Sequence, residues 1–154
     1  MIIEQAKRED AAEILQLQRI AYQSEAEIYQ DWTIPPLTES LEDALAAFDR
    51  EVFLKVFIDK DSRRIIGSVR AHLGEDTCFI GRLIVHPDFQ RKGIGSAMLR
   101  ELERIFPQAH RFELWTGKKS TGNLLFYRKL GFSPFREQQL SDNLAVIFLE
   151  KTRT

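Results

Sequence analysis

The stretch that most constrains this chain is residues 83–99, LIVHPDFQRKGIGSAML. Leu83, Ile84 and Val85 are apolar and partly β-branched, which is typical of a strand that is covered on both faces. Pro87 cannot donate a hydrogen bond to a neighbouring strand, so we expect the strand to end before it. The sequence therefore predicts a buried strand that leads directly into a loop.

The loop contains two glycines and is followed by a helix. Gly93 and Gly95 allow a tight turn and let the backbone approach a ligand closely, because no Cβ stands in the way. Met98, Leu102 and Ile105 then recur at helical spacing, which predicts a helix that we expect to end at Phe106, since Pro107 cannot continue it.

Positive charge collects where this helix begins. The first N–H groups of a helix have no intrahelical partner, and the helix dipole places partial positive charge there. Arg91 and Lys92 add full charges, so the site suits a phosphate or a pyrophosphate. The GxGxxG motif would need a small residue in place of Met98, and the P-loop pattern fits nowhere, including residues 117–120. Taken alone, the loop is equally compatible with a plain turn that carries solvated basic residues.

The composition limits the class of protein. The chain has 154 residues, and we expect one domain spanning residues 1–154. Its formal net charge of −1 gives no support for binding to nucleic acid or to an anionic membrane. With Cys78 as the single cysteine, no intrachain disulfide can form, and we predict no metal site. No apolar run is long enough to span a bilayer and no signal peptide is evident, so we expect a cytoplasmic protein.

The first half of the chain predicts an edge strand over residues 1–6 and then two helices. Asp10 begins the first helix with Glu13 in capping-box register, and Ser40 begins the second with Asp43 at the same spacing. The apolar residues that we expect to face the core are Ile14, Leu17 and Ala21 in the first helix and Leu41, Ala44, Leu45 and Phe48 in the second.

The second half predicts a mixed sheet with helices on its faces. Apolar residues alternate over residues 52–58, and two further strands over residues 65–73 and 77–85 suggest an antiparallel meander. The strand at residues 111–116 follows a helix and should run parallel to residues 77–85. A helix that begins at Thr121 and ends at Gly131, then strands over residues 132–135 and 144–149, complete the order β-α-α-β-β-β-α-β-α-β-β, an α+β fold.

Two motifs in this half resemble one known family. Residues 90–95, QRKGIG, resemble the (Q/R)xxGxG loop of the Gcn5-related N-acetyltransferases, the GNAT family. Residues 121–132, TGNLLFYRKLGF, resemble the second signature of that family, an asparagine helix that ends in FYxxxGF. The two motifs occur in the order that the family shows, and the resemblance extends over residues 50–150. It implies the GNAT-like acyl-CoA N-acyltransferase fold.

The resemblance also implies a site for acetyl-CoA and no metal. In that family, positions matching Leu83, Ile84 and Val85 hold the pantetheine arm by their backbone, and the position matching Asn123 binds it with its side chain. Tyr127 would protonate the leaving thiolate, which lowers the barrier to acyl transfer. The residues implied to hold the pyrophosphate, largely by their backbone N–H groups, are Gln90, Arg91, Lys92, Gly93, Ile94, Gly95 and Ser96.

The general base is open at this stage. Many relatives carry a glutamate just before the apolar run of the central strand, where this chain has Gly81 and Arg82. A guanidinium group stays charged and cannot act as a base, and we expect Arg82 to form a structural ion pair. The candidates for the base are Glu75, Asp76, Glu27 and His86, and a water relay without a dedicated residue is an equal alternative.

The segment from Tyr22 to Trp32 mixes aromatic and acidic residues, and we expect Pro35 and Pro36 to stop any helix after it. One interpretation is an ordinary loop with solvated charges. The other is an acceptor lid, whose carboxylates attract a cationic amine and whose rings pack against it.

The resemblance implies an N-acetyltransferase that transfers an acetyl group directly, in a ternary complex, to an amine of a small molecule or of a peptide or protein. An acyl-CoA sensor with little catalysis is the alternative, which the absent glutamate favours and Tyr127 opposes. A nucleotide-binding protein is disfavoured because both common phosphate motifs are absent. By analogy with relatives, the apolar strand at residues 144–149 is also a candidate homodimer contact.

Overall fold

Residues 1–153, the part of the chain that the computed structural model describes, form a seven-stranded mixed sheet. The order of the strands in the sheet is β1-β2-β3-β4-β5-β7-β6, with β4 and β5 parallel and the other neighbours antiparallel. The predicted edge strand, meander and parallel strand are confirmed. The strands are β1 (Ile2–Gln5), β2 (Val52–Phe57), β3 (Gly67–Gly74), β4 (Thr77–Val85), β5 (Arg111–Gly117), β6 (Ser133–Ser141) and β7 (Leu144–Thr152).

Six α-helices accompany the sheet within residues 1–153, and none of them combines the length and apolar character that crossing a membrane requires. The two helices predicted near the N-terminus correspond to α1 and α4, and two short helices lie between them. The helices are α1 (Ala11–Ala21), α2 (Gln23–Tyr29), α3 (Pro35–Thr38), α4 (Leu41–Ala47), α5 (Ile94–Ile105) and α6 (Thr121–Lys129).

The segment between α1 and α4 differs from its prediction. Pro35 and Pro36 do not simply stop a helix; they form the first turn of α3. Proline suits that position because its fixed φ is helical and the missing N–H would have no helical partner there. The stop lies earlier, at Gln30, whose left-handed φ of 49° ends α2. Most of this segment is therefore helical.

Helix starts were predicted with mixed success. Ser40 caps α4 as expected, because its hydroxyl accepts the Asp43 N–H at 3.0 Å. The predicted cap at Thr121 is wrong by one residue, since Ser120 occupies the cap position and its side chain makes no capping bond there. Leu41 was expected in the core and is instead exposed, because it faces outward on the first turn of α4.

The predicted capping box of α1 does not form, because its two carboxylates bind other parts of the chain. Asp10 pairs with the Lys55 ammonium of β2 at 2.8 Å. Glu13 accepts a hydrogen bond from the Ile65 N–H at 2.8 Å, just before β3. Both acidic side chains therefore attach the start of α1 to the sheet, which is a role that spacing within the helix does not predict.

Helices cover both faces of the central strands. On one face, Met98 and Leu102 of α5 are fully buried against β3 and β4. On the other, Ile14 and Leu17 of α1 pack with Phe53 of β2. The alternation predicted for β2 therefore does not separate a buried face from an exposed one, because side chains on both of its faces are covered.

Strand β4 leaves β5 after a short overlap. Their pairing joins residues 77–79 to residues 111–113 and then ends. On the other side of β4, the register against β3 shifts between Ser68 and Arg70, and Arg82 adopts a left-handed φ of 49°. This is a β-bulge, which bends a strand and increases its local twist. The second half of β4 consequently separates from β5 and opens a cleft.

A buried ion cluster supports the bulge. Arg70 on β3 donates to both oxygens of Glu39, at 2.9 and 3.0 Å, and Gln18 on α1 donates to the same carboxylate at 2.9 Å. The Arg82 Nε lies 3.6 Å from Glu39, which agrees with the structural ion pair that we expected for Arg82. Glu39 thus joins the loop before α4 to α1, β3 and β4.

We expect Glu39→Gln to lower the free energy of unfolding by roughly 3 kcal/mol, because Arg70 would lose its buried counter-charge. Burial raises the pKa of Glu39, but hydrogen bonds from Arg70 and Gln18, with the charges of Arg70 and Arg82, lower it by more, so this pKa lies below its usual 4.5. The ionised carboxylate therefore contributes its full stabilisation above pH 4.5, and that contribution is lost as the pH falls through the lower folded-state pKa.

Urea denaturation of the unmodified protein and the variant at a series of pH values measures this effect. The difference in stability should be largest at neutral pH and should shrink on acidification. Glu42→Gln changes an exposed glutamate on α4 and is the matched control, which should unfold like the unmodified protein. A Glu39→Gln penalty that stayed constant down to strongly acidic pH would contradict the ion cluster.

Candidate active site

A cleft of about 910 Å³ lies where β4 and β5 separate. Its walls come from these two strands, from the loop before α5 and the first turn of that helix, from α6, and from α2 and α3. The cleft therefore brings together elements from the N-terminal, central and C-terminal parts of the chain.

The exposed edge of β4 forms one wall of the cleft. Gly67 and Ser68 of β3 pair with Val85 and Ile84 on one side of this strand. On the other side, the pairing with β5 has already ended. The backbone polar groups of Leu83 and Val85 therefore have no strand partner on that side. Apart from the Val85 carbonyl, which the Gln90 side chain binds, they are available to a ligand, since buried groups of this kind need a partner.

The loop before α5 is held in a defined turn. Arg91 and Gly93 have left-handed φ values of 62° and 81°. The Gln90 side chain donates to the Val85 carbonyl at 3.2 Å, which ties the loop back to the end of β4. The Ala97 N–H donates to the Gly93 carbonyl at 3.0 Å. The N–H groups of residues 94–96 precede the first bond of the helix and have no partner within it, which suits an anion.

The structure brings nearly all of the predicted cofactor residues to this cleft. Lys92 is the exception, because its ammonium lies 5.6 Å from the centre of the Phe89 ring and the residue does not line the cleft. The predicted residues that do line it are Leu83, Ile84, Val85, Gln90, Arg91, Gly93, Ile94, Gly95, Ser96, Asn123 and Tyr127.

Tyr127 reaches the cleft from α6. Its ring is buried and packs edge-on against Phe126 and Phe132, with ring centres 5.2 and 5.8 Å away. Burial raises the pKa of Tyr127 above its ordinary value, and the nearby Tyr22 and Glu25 raise it further. The hydroxyl therefore carries its proton at neutral pH.

Asn123, one turn earlier on α6, is bound to two other elements. Its side-chain amide donates to Glu25 Oε1 of α2 at 3.2 Å and to Thr116 Oγ1 of β5 at 3.3 Å. The Ser120 hydroxyl donates to the same Glu25 oxygen at 2.7 Å. Sequence reasoning gave Glu25 no individual role, because it lies 98 residues from Asn123 and was one of several acidic residues in its segment.

Tyr29 fixes α2 against the start of α6. Its hydroxyl lies 2.8 Å from Ser120 Oγ and accepts a hydrogen bond from the Lys119 N–H at 3.0 Å. Gly117, the last residue of β5, leaves the space for this contact. A Cβ at that position would overlap the Tyr29 hydroxyl and lie 2.8 Å from Ser120 Oγ.

The carboxylates at the cleft are not those that the sequence proposed as bases. Glu75, Asp76, Glu27 and His86 do not line it. Arg82 does line it. The family resemblance predicts a glutamate in this part of the strand, where this chain has arginine. Among residues 1–153, the carboxylates that line the cleft are Glu25, Glu51 and Glu113.

The sheet order, the separation of β4 from β5 and the loop at the start of α5 are the features of the acyl-CoA N-acyltransferase fold that the sequence implied. The model of the acetyltransferase (GNAT) family matches residues 8–132, and the chain belongs to this family. Its membership confirms the family and the fold predicted from the two motifs.

Known proteins resemble this chain in sequence or in fold. The chain is 33% identical over 122 residues to UPF0157 protein YqkA of Bacillus subtilis (strain 168). The matched region covers 79% of this chain and 34% of YqkA. The chain therefore spans about a third of the length of that relative. Two solved structures share the fold at low identity. They are smu.2055 from Streptococcus mutans UA159 (TM-score 0.80, 18% identity, 99% of each chain) and PaiA N-acetyltransferase from Thermoplasma acidophilum in complex with coenzyme A (TM-score 0.73, 20% identity, 99% of this chain and 100% of PaiA).

We expect Gly117→Ala to loosen the attachment of α2, because the added methyl group would displace the Tyr29 hydroxyl. The free energy of unfolding should fall by roughly 1–3 kcal/mol. Gly122→Ala is the matched control, since a Cβ there meets nothing within 4 Å and alanine favours a helix more than glycine does. Chemical denaturation compares the two variants, and equal stabilities would contradict the close contact at Gly117.

Proposed function

We propose that this chain transfers an acetyl group from acetyl-CoA to an amine of a small molecule or of a peptide or protein. The observation that carries the proposal is a single cleft that joins the N–H groups at the start of α5 to Tyr127. Such a cleft suits a long ligand with a pyrophosphate at one end. Membership of the acetyltransferase family supports an acetyl group as the unit that is transferred.

The residues present fit a coenzyme A molecule along the length of the cleft. The N–H groups from Arg91 to Ser96 would receive the pyrophosphate, and the open edge of β4 would bind the amides of the pantetheine arm. Asn123 would also bind this arm. For that role, its amide must give up at least one of its bonds to Glu25 and Thr116.

Tyr127 is proposed as the proton donor. Acetyl-CoA supplies a thioester whose carbonyl carbon the amine attacks, so that a C–N bond forms and the C–S bond breaks. The buried Tyr127 hydroxyl is protonated at neutral pH and gives its proton to the departing sulfur. Loop 90–96 and β4 position the reacting groups, and a direct transfer of this kind needs no covalent intermediate on the protein.

A sensor that binds acyl-CoA and catalyses little is the second candidate. The observation in its favour is Arg82, which stands where relatives were expected to carry a glutamate and which neighbours Glu39 in the buried ion cluster. The two candidates share the cofactor site and differ in whether an amine turns over.

Acetyl-CoA should raise the melting temperature of the protein. At a concentration about a hundredfold above the dissociation constant, the stabilisation should be about 2.7 kcal/mol. Ser96→Glu should abolish this shift without unfolding the protein, because a carboxylate in the first turn repels pyrophosphate but favours the helix dipole. Ser62→Glu adds the same charge to an exposed loop and is the control. A melting temperature that does not respond to millimolar acetyl-CoA would overturn the proposed function.

Tyr127→Phe should lower kcat by about 100-fold or more, the contribution expected of a positioned acid. The ring packing against Phe126 and Phe132 is retained, so the dissociation constant for acetyl-CoA should stay close to that of the unmodified protein. Release of free thiol in the presence of an amine panel of polyamines, amino acids, aminoglycosides and peptides measures turnover. Unchanged turnover under conditions where chemistry limits the rate would show that Tyr127 is not the acid.

A further inference from the structure

The carboxylates that line the cleft differ in whether a cation already neutralises them. The Arg111 guanidinium lies 2.8 Å from Glu113 and is a permanent cation, whereas the His72 ring, 3.3 Å from Glu51, is a cation only when it is protonated. Glu25 has no lysine, arginine or histidine within 4.0 Å among residues 1–153. Among the three, Glu25 is the carboxylate with no basic side chain beside it, so its charge is available to a ligand.

Neighbouring groups hold Glu25 in a fixed orientation. Its Oε1 accepts hydrogen bonds from the Ser120 hydroxyl at 2.7 Å and from the Asn123 amide at 3.2 Å. No residue of the described chain donates to its Oε2, and Glu25 lines the cleft. One oxygen is thus used for positioning, and the other remains able to accept a proton or a hydrogen bond.

Glu25 lies next to the group proposed as the acid. Asn123 and Tyr127 are four residues apart on α6 and lie on the same side of that helix, so a carboxylate bonded to Asn123 is close to Tyr127. Because the two side chains are close, the negative charge of Glu25 also raises the pKa of Tyr127. The thioester and the incoming amine must meet beside Tyr127, which places the amine within reach of Glu25.

The surroundings of Glu25 suit a cation. Tyr22 and Tyr29 line the same cleft, and aromatic rings attract a positive charge. Arg82 of β4 also lines the cleft, and its Nε lies 3.6 Å from Glu39. Arg82 therefore neighbours Glu39 and is not paired with Glu25.

We propose that Glu25 binds the acceptor as an ammonium ion and acts as its general base, so that the substrates are alkylamines that are cationic at neutral pH. This inference rests on the proposed acetyl transfer. Glu25 takes one proton from R–NH₃⁺, and the neutral amine attacks the thioester carbonyl. The thiolate takes the Tyr127 proton as the C–S bond breaks. The excess proton on nitrogen then returns to the Tyr127 oxygen, and Glu25 releases its own proton to water.

The test compares two amines of nearly equal size with different charges. Ethylamine is protonated at neutral pH, whereas methoxyamine is neutral and needs no base before it attacks. Glu25→Gln should lower kcat/KM for ethylamine and for spermidine by about 100-fold. It should lower kcat/KM for methoxyamine far less and should leave acetyl-CoA binding intact. Glu25→Asp keeps the charge and should restore part of the activity with ethylamine.

Glu27→Gln is the matched control, because Glu27 is exposed on the same helix and does not line the cleft. Its kinetics should match those of the unmodified protein. Equal losses with ethylamine and methoxyamine would indicate structural damage and overturn the assignment of Glu25, as would an unaffected Glu25→Gln variant. If the unmodified protein acetylates methoxyamine but no cationic amine of the panel, this inference alone is overturned. If it does not bind acetyl-CoA, the proposed function is overturned as well.

Discussion

The separation of β4 from β5 is the constraint on which the rest of the structure depends. A parallel pair of strands would normally continue to share hydrogen bonds, but here the pairing ends after residues 77–79. The bulge at Arg82 bends the strand, and the ion cluster of Arg70, Glu39 and Gln18 lies directly behind it. Buried charges of this kind are costly unless they are paired, and Glu39 is the carboxylate that faces the guanidinium groups of both Arg70 and Arg82.

Every other feature of the cleft follows from that separation. The end of β4 leads into the turn of residues 90–93, which directs the first N–H groups of α5 toward the opening. On the far side, β5 ends at Gly117, and the absence of a side chain there lets Tyr29 attach α2 to the start of α6. Helix α2 and the start of α6 therefore meet at Ser120 and Asn123, which both bind Glu25.

The predictions from local sequence patterns are confirmed where the feature depends only on residues that are close in the chain. The cap at Ser40, the strand before Pro87 and the helix with Met98 and Leu102 depend on neighbours within a few residues. Asp10 and Glu13 show the limit of this reasoning. Their spacing is that of a capping box, but Lys55 and Ile65 compete for the same carboxylates from distant parts of the chain, and these long-range partners form the observed bonds.

The amino-acid sequence by itself determined the family, the order of the elements and the positions of the two motifs, because glycine, proline and apolar periodicity act over short stretches of backbone. Only the tertiary structure decided which carboxylates line the cleft. The bases proposed from sequence lie away from the cleft, whereas Glu25 enters it on α2. That placement depends on contacts of Tyr29 and Glu25 with residues 90 or more positions later in the chain. No local pattern encodes such contacts, since they form only when the sheet and its helices pack together.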